Sequence, residues 1–113
     1  MRNKIPTDIE RLEHILMAIE AIYCYTKNMT EEQFLQDDRT QSAVLFQFVI
    51  IGEAVSSLSL EMVEKHPYAW HKPRSFRNFI AHEYFGIKLT VVWYTIQMQL
   101  QELKDLILQI QKS

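Results

Sequence analysis

Apolar residues recur at intervals of three and four along most of this chain, and this spacing limits the possible folds more than any other feature. Such series cover residues 9–23, 44–58 and 89–110. A period near 3.6 residues places the apolar side chains on one face of an α-helix. Only two glycines and three prolines interrupt the 113 residues. We therefore predict an all-α fold, and the length predicts a single domain over residues 1–113.

Local signals set the expected helix boundaries. Thr7 and Glu10 have the spacing of a capping box, which predicts a first helix over about 7–27. Pro73 suits the first turn of a helix over about 73–84, and Gly86 is expected to close that helix as a left-handed C-cap. The other predicted helices are a short one over 31–36 capped by Thr30, one from Asp37-Asp38 through Leu58, one or two turns over 59–65 ended by His66-Pro67, and a last helix over 88–111.

Several helices carry a second apolar stripe, which a monomeric bundle does not require. We interpret the surplus as a subunit interface and expect a homodimer. The alternative is that these residues complete a tight core within one subunit. The residues concerned are Ile15, Ile22, Leu45, Val49, Val92 and Leu106.

Small residues form a separate stripe beside the second apolar series. Gly52, Ser56 and Ser59 follow one another at helical spacing. Side chains this small let the backbone of another helix approach closely. We expect a close helix–helix contact there.

Positive charge is concentrated in one segment of a slightly acidic chain. The net charge is −2, yet residues 65–82 contain four lysine or arginine residues, three histidines and no carboxylate. A positive strip of this kind attracts a phosphate backbone, although a solvated loop gives the same pattern. Lys72 and Arg74 are the predicted RNA-binding side chains.

Composition also indicates the compartment. Cys24 is the single cysteine, so neither an internal disulfide nor a zinc–thiolate site is expected. The first ten residues lack the apolar core of a signal peptide, and the longest apolar run, 48–51, is far too short to cross a bilayer. We expect a cytoplasmic protein that does not enter the membrane.

The segment RNFIAHEY, residues 77–84, combines side chains that can handle a phosphodiester. An arginine holds phosphate in bidentate fashion and keeps its charge, whereas a histidine exchanges protons near neutral pH. In RNA cleavage His82 would take the proton of a ribose 2′-hydroxyl, and Arg77 would stabilise the developing negative charge. Asn78 would orient the phosphate or the imidazole. Arg77 and His82 together suffice for cleavage without a metal ion.

Helix geometry separates the two main candidates. Asn78 and His82 are four residues apart and share a face, while Arg77 lies about 140° round the helix from His82. One helix therefore does not aim Arg77 and His82 at the same atom. Two copies related by a twofold axis could instead bring Arg77 of one beside His82 of the other.

Other interpretations remain open. These residues also fit a surface arginine, a capping asparagine and a histidine favoured by the helix dipole. A catalytically inactive module that binds RNA or a protein partner is the alternative function. A metal site is disfavoured because a proline turn separates His66 from His71, and His82-Glu83 lacks the second histidine of a zincin helix. We expect neither a metal nor a cofactor.

Taken together, these segments resemble the HepT-like ribonuclease toxins of the HEPN superfamily along nearly the whole chain. The matching pieces are TQSAV, IGEA, HPYAW, RNFIAHEYFG with its Arg-x4-His-x-Tyr signature, and VVW. The resemblance implies an up-and-down bundle of four to five helices, a homodimer with a composite active site, and RNase activity at Arg77 and His82. It further implies that Tyr84 receives AMP from a cognate nucleotidyltransferase antitoxin of the MntA type.

Overall fold

The structure is a computed structural model that describes residues 6–112. All regular elements in this range are helical, so the all-α prediction is confirmed. No helix in the described range combines the length and apolar character needed to cross a bilayer. The helices are α1 (Asp8–Thr26), α2 (Glu31–Leu35), α3 (Asp38–Ser56), α4 (Leu60–Lys65), α5 (His71–His82), α6 (Leu89–Met98) and α7 (Leu100–Lys112), with a 3-10 turn at Tyr84–Gly86 between α5 and α6.

The predicted helix starts are confirmed where a side-chain cap was visible in the sequence. Thr7 accepts a hydrogen bond from the backbone N–H of Glu10 at 3.2 Å, and the Glu10 carboxylate accepts one from the N–H of Thr7 at 2.9 Å. Thr30 caps α2 through the equivalent pair with Gln33. Asp37 caps α3 by accepting from the N–H of Thr40. Each cap satisfies a backbone donor that the helix cannot satisfy internally.

The core lies mainly between α1 and α3, with α6 and α7 packed against it. Ile15, Ile22 and Val92 have no exposed surface, and Leu45 is 6% exposed. Val49 and Leu106 are partly buried against the same cluster. Our interpretation of this second stripe as a subunit interface is therefore wrong, because a single chain already buries four of these six side chains in its own core and partly buries the other two.

The contact between α3 and α5 is close because Gly52 has no side chain. A Cβ at this position would lie 2.3 Å from Cβ of Arg77 and 3.0 Å from the carbonyl oxygen of Pro73. The predicted close approach at the small-residue stripe is thus confirmed at Gly52. Ser59 has a different role, since its hydroxyl accepts from the N–H of Met62 and caps α4.

The helix that carries the motif is displaced by two residues from its predicted position. It covers His71–His82 rather than 73–84, with Pro73 still inside the first turn, where backbone N–H groups have no helical partner. Gly86 is not a left-handed C-cap, since no described glycine has a positive φ. Its N–H instead donates to the carbonyl of Glu83 at 2.8 Å and closes the 3-10 turn. Tyr84 therefore lies beyond the helix.

The last predicted helix is divided at Gln99 into α6 and α7. One turn before the break, the hydroxyl of Thr95 donates to the carbonyl of Val91 at 2.9 Å. This bond to the carbonyl four residues back bends helices and weakens the local backbone bonding. The apolar spacing continues unchanged across the break, so it gave no sign of the division.

Candidate active site

Arg77 lies on the face of α5 that packs against α3. Its Nη1 donates to Oε1 of Glu53 at 2.6 Å, and its Nη2 reaches the hydroxyl of Ser56 at 3.5 Å. The Arg77 side chain is 26% exposed and that of Glu53 is 57% exposed. The close approach at Gly52 places Cβ of Arg77 against the α3 backbone. The guanidinium is therefore held at the α3–α5 contact by a charge-assisted hydrogen bond.

Glu53 is the one component of this arrangement that our sequence interpretation did not assign. It directly follows Gly52, and Ser56 lies three residues further along the same helix, so both can reach one side chain on α5. A carboxylate beside a predicted close helix contact was a usable signal, because it can hold a basic residue on the incoming helix. The Nε of Arg77 is buried and has no hydrogen-bond partner among the described residues.

Helix geometry places Asn78 about 100° and His82 about 140° round α5 from Arg77. Both side chains are exposed, and His82 is the last residue of the helix. The polar contacts of Arg77 within residues 6–112 are with Glu53 and Ser56 rather than with His82. Among the described residues, no hydrogen bond or ion pair joins the side chains of Arg77 and His82.

Two aromatic side chains project from the 3-10 turn just beyond His82. Tyr84 is 49% exposed and Phe85 is fully exposed. Their rings meet edge to face, with centroids 5.3 Å apart. Tyr84 therefore belongs to an accessible surface close in sequence to His82.

The two predicted RNA-binding cations lie nearer the start of α5. Lys72 and Arg74 are both exposed, and no carboxylate occurs anywhere in α5. In the described part of the chain no group of three or more His, Cys, Asp or Glu side chains is placed to hold a metal ion. The available chemistry is thus an exposed imidazole, an anchored guanidinium and a helix whose charged side chains are positive.

The comparisons with known proteins identify the family. The HepT-like family model, described as Ribonuclease HepT-like, matches residues 15–110. This chain therefore belongs to the HepT-like ribonuclease family. A candidate RNase of Caldanaerobacter subterraneus subsp. tengcongensis is 35% identical over 88% of this chain and 89% of its own length. The probable ribonuclease HepT of Thermococcus cleftensis is 36% identical over 82% of this chain and 86% of its own length.

A longer relative from Methanocaldococcus jannaschii shares only part of its length with this chain. Its name combines a γ-glutamylcyclotransferase with a candidate RNase, and it is 36% identical over 90% of this chain. This chain spans 46% of that protein. No solved structure matches this chain.

Proposed function

We propose that this chain is a metal-independent endoribonuclease that acts in the cytoplasm as the toxin of a toxin–antitoxin pair. The observation that carries the proposal is the Arg77–His82 motif on α5, with the imidazole exposed and the guanidinium anchored at a close helix contact. Membership of a ribonuclease family supports RNA as the substrate. An anchored guanidinium loses little freedom when it binds an anion, which favours binding of the charged transition state.

The proposed reaction uses the ribose of RNA as the nucleophile. His82 takes the proton of the 2′-hydroxyl, and the 2′-oxygen forms a bond to the adjacent phosphorus. The bond from phosphorus to the 5′-oxygen breaks, and protonated His82 returns a proton to that leaving oxygen. Arg77 stabilises the extra negative charge on the non-bridging oxygens, while Asn78 orients the phosphate or the imidazole. The products carry a 2′,3′-cyclic phosphate and a 5′-hydroxyl.

A complete site requires two copies in this proposal. Glu53 holds Arg77 at the contact with α3, whereas His82 is exposed at the end of α5 and lies about 140° round the helix from Arg77. A homodimer with a twofold axis near α5 supplies the Arg77 of one subunit to the His82 of the other. The support for a dimer is this separation of Arg77 and His82 around α5. The second apolar stripe gives no such support, because it packs into the core of one chain.

The proposed regulation acts on Tyr84. A cognate nucleotidyltransferase antitoxin transfers AMP from ATP to the phenolic oxygen and releases pyrophosphate. The support is that Tyr84 is 49% exposed. The adenylate adds a negative charge and a bulky nucleoside two residues from His82. RNA entry is then opposed by like-charge repulsion and by volume.

Cleavage of RNA by the purified chain in excess EDTA tests the reaction. We expect wild-type cleavage with 2′,3′-cyclic phosphate ends, and loss of cleavage in His82→Ala. His14→Ala is the matched control, because His14 is an exposed histidine on α1, outside the proposed site. A fully active His82→Ala, or cleavage that stops in EDTA and returns with a divalent cation, would contradict the mechanism.

A catalytically inactive module that binds the nucleotidyltransferase or RNA is the second candidate. The observation that favours it is the Glu53 carboxylate, which already occupies part of the Arg77 fork. Expression of the chain alone separates the two candidates. The nuclease proposal predicts toxicity that His82→Ala abolishes without loss of folding, whereas an inactive module predicts equal effects of the two proteins on growth.

A further inference from the structure

An open groove of about 520 Å³ lies between α5 and the junction of α6 with α7. This volume falls within the range typical of small-molecule sites. Its floor includes Phe48 and Ile51 from α3, and its walls include Phe79 from α5 and Tyr94 from α6. Neither Arg77 nor His82 lines it. The groove is therefore separate from the proposed catalytic pair, although α5 carries part of both.

Aromatic rings supply much of the groove wall. Phe79 is 38% exposed and Tyr94 is 54% exposed, so both present ring surface to the groove. Phe76 and Phe79 lie nearly parallel, with an interplanar angle of 16° and centroids 6.5 Å apart. Flat rings of this kind accept the face of a nucleobase, whatever the base, because every base has a π-face.

Lys72 gives one end of the groove a positive charge, which favours an anionic group of a ligand there. His71 and Lys72 border it at the start of α5, and both are exposed. Glu102 is the single carboxylate among its lining residues and belongs to the opposite wall, on α7. Burial, and then Glu102, raises the pKa of Tyr68, so this lining phenol stays neutral and can donate a hydrogen bond at neutral pH.

We propose that this groove binds one nucleotide of the RNA strand, with its base against Phe79 and Tyr94 and a phosphate near Lys72. The proposal rests on the RNase function proposed above and adds a binding subsite to it. On α5, Phe79 precedes His82 by three residues, an axial rise of about 4.5 Å, and Lys72 precedes it by about 15 Å. A strand that follows α5 can therefore occupy the groove and reach His82.

Binding of an uncleavable RNA tests the subsite. The probe is a short, mixed-sequence oligoribonucleotide with 2′-O-methyl groups throughout, which lacks the attacking hydroxyl. Phe79→Ala and Tyr94→Ala should each weaken its binding by at least about fivefold, the low end of the effect of losing one base–aromatic stack. The matched controls Phe46→Ala and Tyr25→Ala remove exposed rings outside the groove and should bind like wild type.

A series of probes with one base removed at each position in turn makes the test specific. Removal of the base that occupies the groove should weaken binding to wild type more than binding to Phe79→Ala, because the variant has already lost one of the two ring contacts. Native mass spectrometry of each variant reports its subunit state. We expect the variants to keep the subunit state of wild type. We also expect the effect of base removal to depend on Phe79 at one position of the probe.

Two results would overturn the subsite. One is that both groove variants bind the probe as tightly as their controls do, and that removal of a base at any position affects wild type and Phe79→Ala equally. The other is loss of subunit association in parallel with loss of RNA binding, which would make the groove a contact between copies of this chain. The catalytic proposal is judged separately, since His82→Ala should bind the probe yet fail to cleave unmodified RNA.

Discussion

Replacing Gly52 with alanine tests whether the close contact of α3 and α5 positions Arg77. The new Cβ would lie 2.3 Å from Cβ of Arg77, whereas ordinary contacts begin at 3.4 Å, so the helices must separate by about 1 Å. Alanine favours a helix by up to about 1 kcal/mol over glycine, and overpacking costs about 1–3 kcal/mol. The net change in stability is a loss of roughly 0–2 kcal/mol, or several degrees in Tm.

The expected loss of activity is larger than the loss of stability. A displacement near 1 Å at a catalytic group lowers rates by about 100-fold, and Arg77 would move together with its backbone. The measurements are thermal unfolding and RNA cleavage at a temperature where the variant remains folded. We expect Gly52→Ala to fold, to melt slightly lower than wild type, and to cleave RNA about 100-fold more slowly.

Gly86→Ala is the matched control for this substitution. Its new Cβ would meet only Oε2 of Glu83, at an ordinary 3.7 Å, and Gly86 does not have a positive φ. This variant should keep a near wild-type Tm. If Gly52→Ala instead gains stability and cleaves within twofold of wild type, the contact at Gly52 does not position Arg77.

Three further predictions concern Glu53, Tyr84 and Asp37. Glu53→Ala should slow RNA cleavage because Arg77 loses its anchor. Glu53→Gln keeps a hydrogen-bond acceptor and should therefore retain most of the wild-type kcat. Equal kcat values for the two variants would contradict this role of Glu53. Tyr84→Phe should fold and cleave RNA but gain no mass with the nucleotidyltransferase and ATP, and an equal mass gain would exclude Tyr84 as the modified residue. The hydrogen bonds from Thr40 lower the pKa of Asp37 below its ordinary value of 3.8. Its carboxylate therefore stabilises the fold fully above that pH and loses this effect as the pH falls through the lower folded pKa. The free energy of unfolding of Asp37→Asn, measured with denaturant, should be lower than that of wild type at neutral pH and should converge with it in acid. A difference that stays constant with pH would contradict the assignment.

Helix starts could be predicted from the sequence because their signals are local. Thr7, Thr30 and Asp37 cap helices through bonds to residues three positions away, which a sequence displays directly. Gly52 also gave a usable signal, since a glycine inside a helical pattern has few functions other than permitting a close approach. The positions of Arg77 and His82 on α5 followed from helical geometry alone.

Features that depend on tertiary contacts could not be predicted in the same way. The end of α5 at His82 depends on the 3-10 turn that Glu83 and Gly86 form, and the break at Gln99 leaves the apolar spacing intact. The burial of Ile15 and Ile22 depends on how α1 packs with its neighbours in three dimensions. Periodicity identifies apolar faces, but it does not say whether the same chain or a second copy covers them.

Mixing two inactive variants is the most direct test of the central claim, that Arg77 of one subunit acts with His82 of the other. Arg77→Ala and His82→Ala proteins should each be inactive, and mixing under conditions of subunit exchange should produce heterodimers with one intact pair. RNA cleavage is expected to return in proportion to the heterodimer measured by native mass spectrometry. Abundant heterodimer without any recovery of cleavage would show that Arg77 and His82 of different subunits do not form one site.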